Sequence, residues 1–271
     1  MQLNEDSAKA GYLWFRQGVW LFRRNPLGLL MMFFTAFFAM IIISYIPLLG
    51  AVLPSLLVPT VSVGFMIGCR DAVAGKPVLP STVVGGLYLY GKGVARQLLT
   101  LGVIYTVLLT LAIAASALVD GGDLFNMLML GATPTDPALT SSNEMLAILV
   151  MMAALVPLSM LFWFAPILTA WHEVPPHKAL FFSFMTCWRN RSALLVFFLI
   201  WIAVILAVVS IVGLVLTSLD VGIPALVMIM APIDMILGTI ITCSFYASYR
   251  GSFTVPEAVS GKATASSDTL G

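Results

Sequence analysis

Charge is what this sequence has least of. Asp, Glu, Lys and Arg make up 9% of its 271 residues, where a soluble domain carries about 25%. Hydrophobic residues make up 61%, and the mean hydropathy is +1.05. That balance excludes a water-soluble domain and requires an integral membrane protein. Cysteine is scarce as well. Cys69, Cys187 and Cys243 have no metal-ligand spacing, and an odd number cannot all pair. All three fall near helix ends expected to face the cytoplasm, where thiols stay reduced, so no disulfide is expected. A basic leader is missing too: Met1 to Lys9 carries Glu5 and Asp6, so targeting is expected to come from the first transmembrane segment. There are no paired carboxylates, no nucleophile elbow and no Cys–His arrangement with usable spacing. Gly91-Lys92-Gly93 lacks the Walker spacing and a strand before it. These absences point away from an enzyme, a cofactor and a nucleic-acid partner.

What the chain does have is long uncharged runs. Asn25 to Cys69 carries no charge over 45 residues. A bilayer core takes about 20 residues per helix, so this run holds two spans with a turn at Pro47-Leu48-Leu49-Gly50. Pro26 suits the first helical position, where its missing N–H costs nothing. Pro54 and Pro59 are expected to kink the second span. Gly64 and Gly68 give the Gly-x-x-x-Gly spacing that admits close helix contact, and packing explains it better than a dimer. Span three is expected over Gln97 to Val119 and span four over Met145 to Ala170, with Pro157 and Pro166 inside it. Span five covers Ala193 to Thr217. Span six covers Ile223 to Tyr249 and contains Pro224, Pro232 and Asp234. The long polar connection from Asp120 to Glu144 holds an apolar patch, Met127 to Leu130, expected against the membrane or the helix ends.

The placement of charge decides orientation. With both termini inside, all 13 Lys and Arg fall on the cytoplasmic side. The outer turns hold Asp120, Asp123, Asp136, Glu144 and Asp220, and no basic residue. Such a bias predicts a six-span membrane protein with both termini cytoplasmic. The fold class is therefore all-α, polytopic, with six transmembrane helices as three hairpins. Residues 1–6 form a short tail, 7–250 a single membrane domain, and 251–271, rich in Ser, Ala, Thr and Gly, a disordered cytoplasmic tail.

Each hairpin is preceded by an aromatic, basic segment: residues 7–24, 77–96 and 175–191. The first reads as an amphipathic helix, with Lys9, Arg16 and Arg23 recurring every seven residues. Trp14, Phe15, Leu21 and Phe22 fall mostly opposite, while Trp20 sits on the basic face. It is either a surface helix or an ordinary positive-inside anchor. The third segment organises the middle of the chain. Span four ends in Phe162-Trp163-Phe164-Ala165-Pro166, passes Trp171-His172-Glu173, breaks at Pro175-Pro176, and Trp188-Arg189-Asn190-Arg191 stops the next segment. Phe22-Arg23-Arg24-Asn25 ends the first segment in similar fashion. Duplication and convergence on one surface-segment solution both explain the repeat.

Trp20 to Pro26, Phe164-Ala165-Pro166 with Trp171, and Pro176 through Lys178-Ala179 to Cys187-Trp188-Arg189-Asn190 resemble an uncharacterised family of six-span integral inner-membrane proteins of proteobacteria. The resemblance covers about Gly11 to Arg250 and implies fold and location only.

Three sets of residues carry chemical potential. Asp234 is the one acid expected inside a span. An acid at that depth costs about 2.5–3.5 kcal/mol, usually faces the bundle interior and marks an ion path, or else serves as a structural hydrogen bond. Arg23, Arg24, Arg189 and Arg191 suit anionic lipid headgroups, or act as topogenic charge alone. Trp171, His172 and Glu173 line the elbow; with His177 they lack zincin spacing, and the two prolines break the helix a metal site would need. The sequence thus favours a non-catalytic inner-membrane protein that binds lipid, anionic lipid in particular, or a protein partner in the membrane. The alternative is a small-solute or ion-coupled transporter built on Asp234.

Overall fold

Stretches that cannot place charge in water become long helices. The computed structural model describes residues 2–3, 8–46, 49–50, 52–130, 143–218 and 223–254. The expected turns at Pro47-Leu48 and Asp220-Val221-Gly222, Asp136, and the tail from residue 255 onward lie outside the described residues.

The helices in order are α1 (Ala8–Arg24), α2 (Pro26–Ser44), α3 (Leu53–Val73), α4 (Gly85–Tyr88), α5 (Gly91–Ala114), α6 (Ala117–Asp120), α7 (Asp123–Leu130), α8 (Asn143–Phe162), α9 (Ala165–His172), α10 (Pro176–Arg189), α11 (Arg191–Ser218) and α12 (Ile223–Ser252). A short 3-10 turn, Pro80–Val84, precedes α4. Six segments are long and apolar enough to span a bilayer: Pro26–Ser44, Leu53–Val73, Gly91–Asp120, Met145–His172, Arg191–Ser218 and Met228–Ser252. The protein is an all-α, six-span membrane protein.

α3 is the central span. Over its most apolar stretch 56% of α3 is buried, against 11–28% in the other five, and its mean hydropathy of 1.4 is the lowest of the six. A helix enclosed by protein need not dissolve in lipid, so it can carry Thr60, Ser62, Gly64 and Gly68. A Cβ at Gly64 would collide with the Val83 carbonyl, so the Gly-x-x-x-Gly spacing serves contacts within this chain. By contrast α11 turns Leu195, Ile202, Leu206 and Leu214 outward. Such an apolar surface is stable only in lipid.

α3 packs against α2, α5, α9 and α12, while α11 and α12 meet largely through α1, which lies between them. The first segment is therefore more than a surface helix. Ala10, Gly11, Trp14, Gly18 and Leu21 recur at helical spacing and are buried, with Trp14 edge-on to Phe197 and Phe15 edge-on to Trp201. Gly18 is required here: any Cβ would strike Ser244 of α12. The basic stripe of α1 stays exposed.

Two-residue strands close the fold: β1 (Gln2–Leu3) pairs antiparallel with β2 (Phe253–Thr254). Both ends of the described chain thus meet on one side. The packed domain also runs further than residue 250, because α12 continues to Ser252, and both Ser252 and Phe253 are buried.

At the opposite, acidic end, Asp120 accepts the backbone N–H groups of Gly122 (2.9 Å) and Leu124 (2.8 Å) and so starts α7. The apolar patch within α7 leaves Met127 and Leu128 outward.

Candidate functional site

Pro166 creates the corner on which the basic end is built. A proline removes a helical hydrogen bond and pushes away the carbonyl four residues earlier, so α8 stops at Phe162 and α9 restarts at Ala165. The hydroxyl of Ser183, from α10, fills the break. It accepts the Phe164 N–H at 2.9 Å and donates to the Met160 carbonyl at 2.8 Å. These are the two groups an unbroken helix would join directly. α9 then ends at Glu173, whose φ of 52° is left-handed, and Val174 N–H closes on the Leu168 carbonyl at 3.3 Å. Pro175 and Pro176 stop any continuation.

This corner projects Trp171 and His172 toward α3, α12 and the α4–α5 junction. Trp171 donates its indole N–H to Tyr90 at 2.7 Å, and Arg70 lies 5.4 Å over the same indole. Arg70 also donates to Tyr90 at 3.4 Å and pairs with Asp71 at 3.7 Å. His172 Nε2 sits 2.7 Å from the Tyr249 hydroxyl, and Trp171 packs edge-on to Tyr246 and Tyr249. Glu173 and His177 are exposed. Among the described residues, no group of three or more His, Cys, Asp and Glu is placed to hold a metal.

Two further tryptophans at the same end carry arginines. Arg24 lies 4.5 Å over Trp20, and Arg191 lies 5.9 Å over Trp188. Arg191 also donates to the Trp188 carbonyl at 3.4 Å. Arg23, Arg24, Arg189 and Arg191 are all exposed. α10 buries Ala179, Ser183, Thr186 and Cys187 and turns Phe181, Phe182, Met185 and Trp188 outward beside Lys178 and Arg189. That pattern suits the zone where headgroups meet acyl chains.

A cavity of about 490 Å³ opens at this end between α1 and α12. Arg16, Gln17, Trp20, Leu21, Tyr246 and Arg250 contribute to its lining, and the end of α3 adds Val73. Arg16 and Arg250 were not among the sequence-derived candidates. Their signal was present: Arg16 belongs to the seven-residue basic stripe, and Arg250 ends the last span. What pairs them is the packing of α1 on α12.

Asp234 does not face the interior. Its side chain is exposed, whereas Thr239 and Cys243 are buried, about 140° and 180° further round the helix. The inward face of α12 belongs to small and polar residues that let α1 approach, which leaves Asp234 outside. It lies about 18 Å along the helix axis from Tyr246 and the cavity.

A probable inner membrane protein of Burkholderia thailandensis is 48% identical over 270 residues, covering 99% of this chain and 100% of that protein. No family model matches the sequence, and no solved structure matches it. Identity at that level over both full lengths carries the six-span architecture and the inner-membrane location together. The chain belongs to the family of that Burkholderia protein, a family of six-span integral inner-membrane proteins.

Proposed function

We propose that this is a non-catalytic inner-membrane protein that binds anionic lipid headgroups at its basic, cytoplasmic face. The observation that carries the reading is the set of exposed arginines on tryptophan rings: Arg24 on Trp20, Arg191 on Trp188 and Arg70 on Trp171. Tryptophan sits at headgroup depth, and a guanidinium held over it stays at that depth. Arg70 and Arg191 also bond protein there, whereas Arg24, among the described residues, is held by its ring alone. Each such cation near an anionic surface contributes about 1 kcal/mol. Arg23 and Arg24 meet no acid among the described residues, so their charge is available to lipid. A transporter would need a path to Asp234, and the cavity between α1 and α12 lies away from that residue.

The test is lipid retained on purification from membranes containing phosphatidylglycerol and phosphatidylethanolamine. Replacing Arg23, Arg24, Arg189 and Arg191 with Gln is expected to lower the anionic lipid that co-purifies, at unchanged protein yield. Unchanged lipid content would leave these arginines a topogenic role only. The orientation is checked with reporter fusions. A fusion after Gly251 is expected to be cytoplasmic and one within residues 133–142 periplasmic; a periplasmic C-terminus overturns the assignment of the basic face.

A further inference from the structure

The cavity between α1 and α12 is a concave part of the basic surface. At about 490 Å³ it falls within the range of roughly 300–1,000 Å³ typical of small-molecule sites. Arg16 enters from α1 and Arg250 from the last turn of α12. None of the lining residues is acidic. Neither arginine has a salt bridge to a described acid, and the nearby Asp71 is taken by Arg70. Two guanidinium groups lining one concave surface concentrate positive potential there, which favours an anion.

We propose that this cavity is a binding site for a phosphate group bearing net negative charge, gripped by Arg16 and Arg250. Guanidinium is planar, permanently charged and matched to phosphate oxygens two at a time. Gln17 and Tyr246, which also line the cavity, are residue types that carry further donors. Trp20, Leu21 and Val73 form its apolar wall, suited to the carbon portion of an esterified phosphate. The bound group would tie α1 to α12 where the two helices already meet through Gly18 and Ser244. Both a phospholipid headgroup and a soluble phosphate offer this chemistry. The proposal rests on the lipid-binding reading above and narrows it to one stoichiometric site.

The test uses the full chain in a neutral detergent, followed by native mass spectrometry. The probes are dioleoylphosphatidylglycerol, dioleoylphosphatidylcholine and sodium phosphate, each added separately and in competition. The wild type is expected to hold one phosphatidylglycerol in preference to phosphatidylcholine. The Arg16→Gln/Arg250→Gln variant is expected to bind it at least about tenfold more weakly, since two charge-assisted contacts are lost. Arg16→Lys/Arg250→Lys, which keeps the charge, is expected to bind between the two. Comparable melting curves across the three proteins establish that binding, rather than folding, has changed. If sodium phosphate occupies the site and phosphatidylglycerol does not displace it, the site stands and its ligand is a soluble phosphate. If Arg16→Gln/Arg250→Gln binds like wild type while Arg23→Gln/Arg24→Gln loses lipid, the cavity proposal is overturned and the general reading survives. If the wild type shows no preference for any anionic probe, both are overturned.

Discussion

Trp171 and Tyr90 are joined by an indole N–H donated to a phenol oxygen over 2.7 Å, across 81 residues of sequence. The bond ties the corner after span four to the start of span three. Arg70 from the central helix covers the same indole. Three spans therefore converge on one side chain at the basic end.

The first prediction concerns this bond. Tyr90→Phe leaves the indole N–H of Trp171 without its acceptor in a half-buried position, at a cost of about 1–3 kcal/mol. Trp171→Phe removes the donor and the platform beneath Arg70. If the bond contributes as its geometry implies, the double variant loses less than the sum of the single losses, by about 1 kcal/mol. Thermal unfolding in detergent measures all three. Strict additivity would show that the two residues act independently.

The second prediction concerns the hydroxyl inserted into the broken helix. Ser183→Ala strips the Phe164 N–H and the Met160 carbonyl of their shared partner. Ser183 is fully buried, so water does not readily replace it. The expected loss is about 1–3 kcal/mol for each group left unsatisfied. Adding Pro166→Ala removes the obstacle to a continuous helix and lets the two groups bond directly. The double variant is therefore expected to recover part of the lost melting temperature. No recovery would mean that the break is held by packing of the corner rather than by Pro166.

The sequence made the six spans legible because absence of charge over a bilayer's thickness is a local property. The segregation of basic from acidic residues was legible for the same reason. Which face of each span looks inward was not. α12 is nearly uniform in apolarity around Asp234, so periodicity says nothing about its side. That side is set by α1, which lies more than 200 residues away in sequence. The roles of Gly18, Ser183 and Arg250 depend on similar long-range pairings. Gly64 was legible as a close-contact residue but not as a neighbour of the Val83 carbonyl. Trp171, His172 and Glu173 were legible as an elbow because Pro175-Pro176 marks it. Their partners Tyr90 and Tyr249 come from other spans.

A third prediction follows from burial of the thiols. Cys187 lies outside the spans, and burial pushes its thiol up to about 12. Thiols react as thiolates, so Cys187 is expected to resist maleimide at pH 8 until the protein unfolds. The linkage has a definite sign. An unfolded cysteine ionises near about 8.5, whereas the folded one keeps its proton to about 12. The stabilisation from the protonated thiol is therefore fully present below about 8.5 and is lost as pH rises through that window. Cys187→Ala is expected to lessen the fall in melting temperature above pH 9. Rapid labelling of the folded protein at Cys187 would overturn the assignment.

The last prediction returns to Asp234. Had it faced the interior, Asp234→Asn would have preserved a hydrogen bond while Asp234→Ala removed packing and lowered protein level. The exposed position changes that expectation. No hydrogen bond or ion pair holds the side chain among the described residues, and its neighbours Ala231, Pro232 and Ile236 are exposed as well. Nothing packs there for Ala to remove. A carboxylate turned toward lipid costs about 2.5–3.5 kcal/mol on insertion scales, so shedding the charge relieves a cost instead of breaking a contact. Asp234→Asn, Asp234→Ala and Asp234→Leu are all expected to accumulate at least to the wild-type level, with Leu melting highest. Protein level in membranes and melting temperature in detergent measure this directly. The ion-coupled reading predicts the opposite pattern, with Asn abolishing proton or cation flux into sealed vesicles at normal protein level. A wild-type flux lost in Asp234→Asn would restore Asp234 as the working residue, and the lipid-binding reading would yield to transport.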